Sequence, residues 1–234
     1  MPSLITDIMI KLLKGLLFFF LSTQLFAEPN VVNATTLLTC KITATNQQYS
    51  CSVGRNGIAV NKIEGDGATP AGNFSILRLF YRADKLNAQE RTVLETLQQR
   101  GFNVQPLTKE DAWCDDAHSP LYNQHIKLST FNPDKLPSHE NLWRDDDLYD
   151  IIAVLGYNDE PVILGKGSAI FMHVARQTPD GSYYPTAGCI ALSKQDLLQA
   201  LASFTSATQI IIPAEGNILL VLESKNFSCL IRAV

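Results

Sequence analysis

From about residue 36 onward, apolar positions recur mostly in short runs with a period of two, the spacing that puts one face of a strand against a core. The pattern predicts strands at 36–43, 48–53, 57–63, 73–81, 122–129, 148–157, 168–174, 208–213 and 217–223, with turn residues between most of them. Two stretches switch to helical spacing. Asn87 to Arg100 places Val93, Leu94 and Leu97 on one face and stops at Gly101, a residue suited to the position just past a helix end. Ser193 to Phe204 opens with Ser193 and Asp196 at capping-box spacing and turns Leu197, Leu198 and Leu201 inward. No repeat, low-complexity tract or linker interrupts this order. The reading is a mainly β chain with a few short helices, a single sandwich or barrel domain over 36–213, and a C-terminal extension, 214–234, packed as extra strands.

The first residues follow a different pattern. Lys11 and Lys14 precede the apolar run Gly15 to Leu21, and small Ala27 follows, the order of a secretory signal over 1–27. Met9 is an alternative start, and Leu25 in place of a small residue leaves an uncleaved anchor open. The expected location is therefore outside the cytoplasm, in the periplasm or cell envelope. The formal charge of −4, one unit more negative once the leader is gone, and the lack of Lys/Arg clusters argue against nucleic acid as a partner.

Export changes how the five cysteines are read. Cys40, Cys51, Cys114 and Cys229 are available to pair in an oxidising compartment, and the odd count leaves one reactive thiol, assigned to Cys189. Leu38 to Thr43 and Tyr49 to Val53 flank a polar turn, so a Cys40–Cys51 bridge across a hairpin is the favoured pairing; buried thiols at Cys114 and Cys229 are the plain alternative.

Several polar stretches invite a functional reading and do not sustain one. The segment from Glu64 to Gly72, EGDGATPAG, lacks a phosphate-loop lysine and a following helix, so it is read as a tight, ordered loop. Trp113 to Asp116 and Trp143 to Asp147 offer carboxylates without the offsets of a hard-metal site and read as solvated or salt-bridged loops. His118, His125 and His139 have no zinc-ligand spacing and read as surface or structural histidines. These spacings give no reason to expect a metal.

His173 and Cys189 are different because of what surrounds them. His173 ends an apolar run, Cys189 follows a loop rich in Pro, Gly and Tyr, and a thiol that attacks carbonyls needs a base within reach. Gly188 permits a sharp turn in which the N–H groups of Ala187, Gly188 and Cys189 converge as an oxyanion site. A base-paired thiolate of this kind should alkylate ahead of buried thiols. His173 and Thr186-Ala187-Gly188-Cys189-Ile190, with fifteen residues between His173 and Cys189, resemble the signature of the L,D-transpeptidase catalytic domain, the YkuD-type fold. The blocks at 64–74, 81–84, 113–116, 122–123, 142–150 and 167–174 are similar to those of one branch of that family, so the likeness spans roughly residues 50 to 213.

The resemblance implies a β-rich sandwich or barrel and an enzyme acting on peptidoglycan stem peptides with no metal or organic cofactor. It implies that Cys189 is the nucleophile at an L-to-D peptide carbonyl, His173 the base, and the Val174 carbonyl the group that orients the imidazole. Transfer to an amine, hydrolysis by a carboxypeptidase- or amidase-like route, and a low-activity binding module all stay open. Ala187 stands where many members have a second histidine, and Ala191-Leu192 where Arg or Asn often follows. Arg176, Arg144, Arg82 and Thr186 are the candidates for holding the substrate, the arginines by a bidentate grip on its carboxylate. Tyr183 and Tyr184 are read as a lid or a packed plug. Nothing in the sequence bears on oligomeric state.

Overall fold

The computed structural model describes residues 38–42, 47–215 and 218–221. The expected leader and Cys229 lie outside them. In chain order the elements are β1 (Leu38–Ile42), β2 (Gln47–Ser52), β3 (Ile58–Ala59), β4 (Thr69–Pro70), β5 (Gly72–Tyr81), α1 (Ala88–Gln99), β6 (Val104–Pro106), β7 (Asp111–Cys114), β8 (His125–Lys127), β9 (His139–Asn141), β10 (Ile151–Leu155), β11 (Phe171–Val174), β12 (Ile190–Leu192), α2 (Lys194–Ala202), β13 (Gln209–Ile212) and β14 (Ile218–Val221).

The main sheet runs β10-β11-β12-β2-β1-β14-β13-β5-β6, and β10 also pairs with β5. That second pairing closes the sheet into a barrel, which leaves no continuous open edge among the strands of the ring. Closure depends on the ten-residue length of β5: its first half pairs β13 through Gly72 to Ser75, and its second half pairs β10 from Ile76 to Tyr81. Of the mainly β sandwich or barrel expected, the structure is a barrel.

Alternation along β10 and β11 divides the interior in two. Ile151, Ala153 and Leu155 join Met172 and Val174 in one core with Leu79, Leu94, Leu97, Leu197 and Leu201. Ile152, Val154 and Phe171 face a second cluster with Phe80, Trp113, Leu142, Tyr149 and Cys189. Both faces of these strands are therefore buried, which is why they read as continuous apolar runs. The second cluster takes Trp113 from β7 of the small antiparallel sheet β8-β7-β9, and Leu142 directly after β9.

Both helices form where the period predicts them. Asn87 caps α1 through a reciprocal pair with Glu90, and Gly101 follows its end with φ +91°. The Ser193 side chain accepts from the Asp196 N–H at the start of α2. Arg100 ties the two helices together by donating to the Ala202 and Phe204 carbonyls at 2.7 and 3.0 Å.

Several expected strands are shorter than the pattern suggested, each for a local reason. The run 57–63 pairs only at Ile58–Ala59, because Ile63 N–H turns to the Asp66 carboxylate at 2.9 Å and Lys62 points to the same side chain. The run 168–174 begins pairing at Phe171, since Ala169 has φ +53° and its N–H donates to Asn123 Oδ1. The run 122–129 is reduced to His125–Lys127 by a turn in which Asn123 has φ +56°. Unforeseen strands β6, β7, β9 and β12 are only three or four residues long.

β1 and β2 form the expected hairpin, with Cys40 opposite Tyr49 and Leu38 opposite Cys51. Cys51 is disulfide-bonded, while Cys114 and Cys189 are free and buried. The expected Cys40–Cys51 pairing falls on a Cys40 side chain outside the described residues. The predicted strand 217–223 is represented by β14, which sits between β1 and β13 inside the barrel sheet; residues 222–234 lie outside the description.

The two cores should separate under mutation. Leu97→Ala in the first is expected to lower unfolding free energy by about 2–5 kcal/mol and leave the alkylation rate of Cys189 unchanged, whereas Phe171→Ala in the second costs about 3–5 kcal/mol and changes that rate. Denaturant unfolding beside an iodoacetamide time course checks both.

Candidate active site

Cys189 precedes β12 and lies beside Phe171 on β11, whose N–H approaches its Sγ at 3.4 Å. The parallel register pairs Met172 with Ile190 and His173 with Ala191. Phe171 and His173 point to the same face, so the imidazole emerges two residues, about 6.6 Å of strand rise, beyond the residue that contacts the thiol. Strand β11 and the residue just before the adjacent β12 thus put the histidine and the cysteine on one face, under the second hydrophobic cluster.

The imidazole is fixed in one tautomer. Its Nδ1 lies 2.8 Å from the Val174 carbonyl, which can only accept, so Nδ1 carries the proton and Nε2 keeps its lone pair. Val174 is held in turn through its N–H on the Leu148 carbonyl at 3.1 Å. The Tyr149 ring packs edge-on against the imidazole at 5.2 Å between centroids and against Phe171 at 6.0 Å. Tyr149 itself is anchored by its hydroxyl donating to Glu140 Oε1 at 2.6 Å.

Burial governs the protonation of the pair. Desolvation lowers the His173 pKa to about 4, although the hydrogen bond to Val174 works the other way. Desolvation, with the Glu140 charge adding to it, raises the Cys189 pKa to about 12 against the opposing effects of the Phe171 N–H and the Lys62 ammonium. Glu140 is itself pushed above the usual carboxylate range by burial, partly offset by Tyr149. At neutral pH the site therefore holds a neutral imidazole and a protonated thiol, whose Sγ donates to the Ala169 carbonyl at 3.2 Å. This corrects the expectation of a resting thiolate: the thiol is 8% exposed and charge is costly there. The chemistry available is general-base deprotonation as a carbonyl arrives, not attack by a preformed ion pair.

The turn before the cysteine is built around Thr186 and Gly188. The Thr186 hydroxyl donates to the Cys189 carbonyl at 2.6 Å and accepts the Gly188 N–H at 3.1 Å. Thr186 thus holds the turn from within, and the Gly188 N–H is engaged by a protein oxygen. Gly188 has φ +152°, and a Cβ there would stand 2.9 Å from the Ala68 carbonyl, so no larger residue fits without displacement. Ala187 is exposed at the rim.

The three arginines have different surroundings. Arg82 is buried, clamps Asp84 through Nε and Nη2, donates to the Arg144 carbonyl and stacks 3.6 Å above Trp143. Arg144 forks onto Asp146 at 2.9 and 2.6 Å and lies 5.2 Å over the Tyr149 ring. Arg176 lies over Tyr184 at 5.4 Å and lines a cavity of about 880 Å³ with Lys85, Lys194, Val174, Asp147 and Asp150. Of the three, Arg176 alone borders that open space.

Other polar stretches resolve as structure. The Glu64–Gly72 segment is the tight loop expected, with Asp66 accepting from the Ile63 and Ala68 amides. Trp113 is buried in β7 and donates to Asn123 Oδ1 at 2.9 Å, while Asp115 and Asp116 lie in the loop that follows, half-buried rather than fully solvated. His125 contacts Asp111 at 2.6 Å and His139 meets the Pro137 carbonyl at 2.8 Å. His118 is exposed. Among the described residues no group of three or more His, Cys, Asp or Glu side chains is arranged to hold a metal ion. Tyr149, Glu140 and Lys62 were not foreseen at the site; the one Tyr and the several acidic residues of 140–150 carry no spacing that distinguishes a buried pair from a loop.

Within the barrel, His173 on β11 and Cys189 just before the adjacent β12 stand beside the glycine turn at Gly188. The sequence matches the YkuD family, L,D-transpeptidase catalytic domain, over residues 30–212, and the chain belongs to that family. Neither the search of curated proteins nor the search of solved structures returns a match.

Two pH effects follow from burial. The acid limb of kcat/KM is expected near pH 4 rather than near 6.5, because that is where His173 gains its proton. The depressed His173 pKa also means that unfolded chain binds a proton first, so stability contributed by neutral His173 is present above pH 6.5 and is lost as pH falls toward 4. Comparing wild type with His173→Ala by thermal unfolding across pH 4–7 checks the sign.

Proposed function

We propose that the protein is an exported cysteine peptidyl-transferase that cleaves an L-to-D peptide bond in a peptidoglycan stem and passes the acyl group to an amine. The family is that of L,D-transpeptidase catalytic domains, and the substrate class follows from it. The observation that carries the reading is the Val174 carbonyl fixing the His173 tautomer, which leaves Nε2 as acceptor on the face shared with the Cys189 thiol.

In the first half-reaction His173 Nε2 takes the Sγ proton as sulfur bonds to the carbonyl carbon, and the carbonyl electrons move to oxygen. Collapse of that intermediate breaks the C–N bond, and His173 returns the proton to the departing D-amino acid amine. In the second, the acceptor amine gives up a proton to His173 as it attacks the thioester, and sulfur leaves as the thiol. Water in place of the amine gives hydrolysis by the same residues. The 8% exposure of Cys189 favours an acceptor that can bring its own apolar contacts and exclude water. Arg176 is the arginine we assign to the stem carboxylate, since it borders the cavity beside Val174. The apolar leader accounts for access to a substrate outside the cytoplasm.

Incubating the mature protein with disaccharide-tetrapeptide and a D-amino acid should give an acyl adduct on Cys189 and an exchanged tetrapeptide, both read by mass spectrometry. Cys189→Ala and His173→Ala should each abolish the adduct. Tight sacculus binding with no adduct, unchanged in Cys189→Ala, would identify a binding module instead.

A further inference from the structure

Lys62 is a buried cation that the reaction described so far does not use. It is 4% exposed, and its Nζ pairs with Asp66 Oδ1 at 2.6 Å. Asp66 is held in place by the Ile63 and Ala68 amides, both at 2.9 Å. Burial alone would raise the Asp66 carboxyl pKa, but the Lys62 hydrogen bond and these amides outweigh it and hold it below the usual range. A buried ammonium persists only beside such a partner.

The lysine reaches the nucleophile's turn through a slot made by two glycines. A Cβ on Gly167 would fall 2.8 Å from Lys62 Cε, and one on Gly188 would fall 3.6 Å from Lys62 Nζ. Both glycines have positive φ, +107° and +152°. Side chains at either position would crowd the lysine. The segment that begins at Gly167 also supplies, at Ala169, the carbonyl that receives the Cys189 thiol. The ammonium and the thiol are thus held between the same two stretches of backbone, 167–169 and 188–189.

The Gly188 N–H expected to stabilise an oxyanion is engaged by Thr186 Oγ1, whereas an ammonium has three donors, of which one goes to Asp66 and one lies 3.5 Å from the Ile63 carbonyl. We propose that Lys62 is a catalytic residue: its third N–H, directed across Gly188, stabilises the oxyanion formed when Cys189 attacks the substrate carbonyl. The inference rests on the acyl-transfer reading above. No proton transfer from Lys62 is required; it supplies a fixed positive charge in a dry site, where such a charge is worth far more than in water.

The test compares two reactions of the same thiol. Acylation by p-nitrophenyl acetate passes through a tetrahedral oxyanion, whereas alkylation by iodoacetamide does not. Lys62→Met is expected to slow acylation roughly 10²–10³-fold, the usual cost of losing one oxyanion donor. The loss should fall on kcat, with KM and the alkylation rate much less affected, and Lys62→Arg should recover part of it. Lys62→Gln, which keeps a donor toward Asp66, provides the same comparison if the methionine variant does not fold. A folded Lys62→Met or Lys62→Gln protein that acylates at the wild-type rate overturns the proposal, as does an equal loss in alkylation and acylation. Wild-type protein that reacts with p-nitrophenyl acetate but not with stem peptide would sink the peptidoglycan reading alone.

Discussion

Burial of the β10–β11 pair on both faces is the constraint on which the rest depends. One face fills the barrel with Met172 and Val174, and the other packs Phe171 under Trp113 and Tyr149 with Cys189 in the same cluster. A histidine on the second face is therefore removed from water by the packing that stabilises the fold. Its acidity follows from its place in the sheet, and so does the protonated state of the thiol beside it.

This arrangement trades resting reactivity for protection. An exposed thiolate is open to oxidation, whereas a neutral thiol donating to the Ala169 carbonyl reacts only when a carbonyl and a base act on it together. The cost is that negative charge appears in an apolar site during attack. Fixed dipoles and charges must meet it, which gives meaning to the Phe171 N–H on sulfur and the Lys62 ammonium behind Gly188.

Much of this was legible from residues alone. The alternating runs locate most strands of the barrel, the helical period finds both helices, and the Thr186 to Ile190 sequence with His173 identifies the family. What escaped was set by tertiary structure. β7 and β9 are short and carry Asp111, His139 and Glu140, and no alternation marks them as strands before Trp113 packs over Phe171. Lys62 sat in a run read as a strand, and its approach to Gly188 depends on the Asp66 turn rather than on any local spacing. The expected thiolate was missed because a pKa depends on desolvation, which pairing of residue types does not disclose.

The central claim is that Cys189 and His173 rest as a neutral pair and exchange a proton only during attack. Ultraviolet thiolate absorbance of wild type minus Cys189→Ala, followed as a function of pH, measures it directly. The account predicts no step through neutrality and a rise only toward pH 12. A thiolate step near or below pH 6.5, in register with the ordinary titration of histidine, would contradict it.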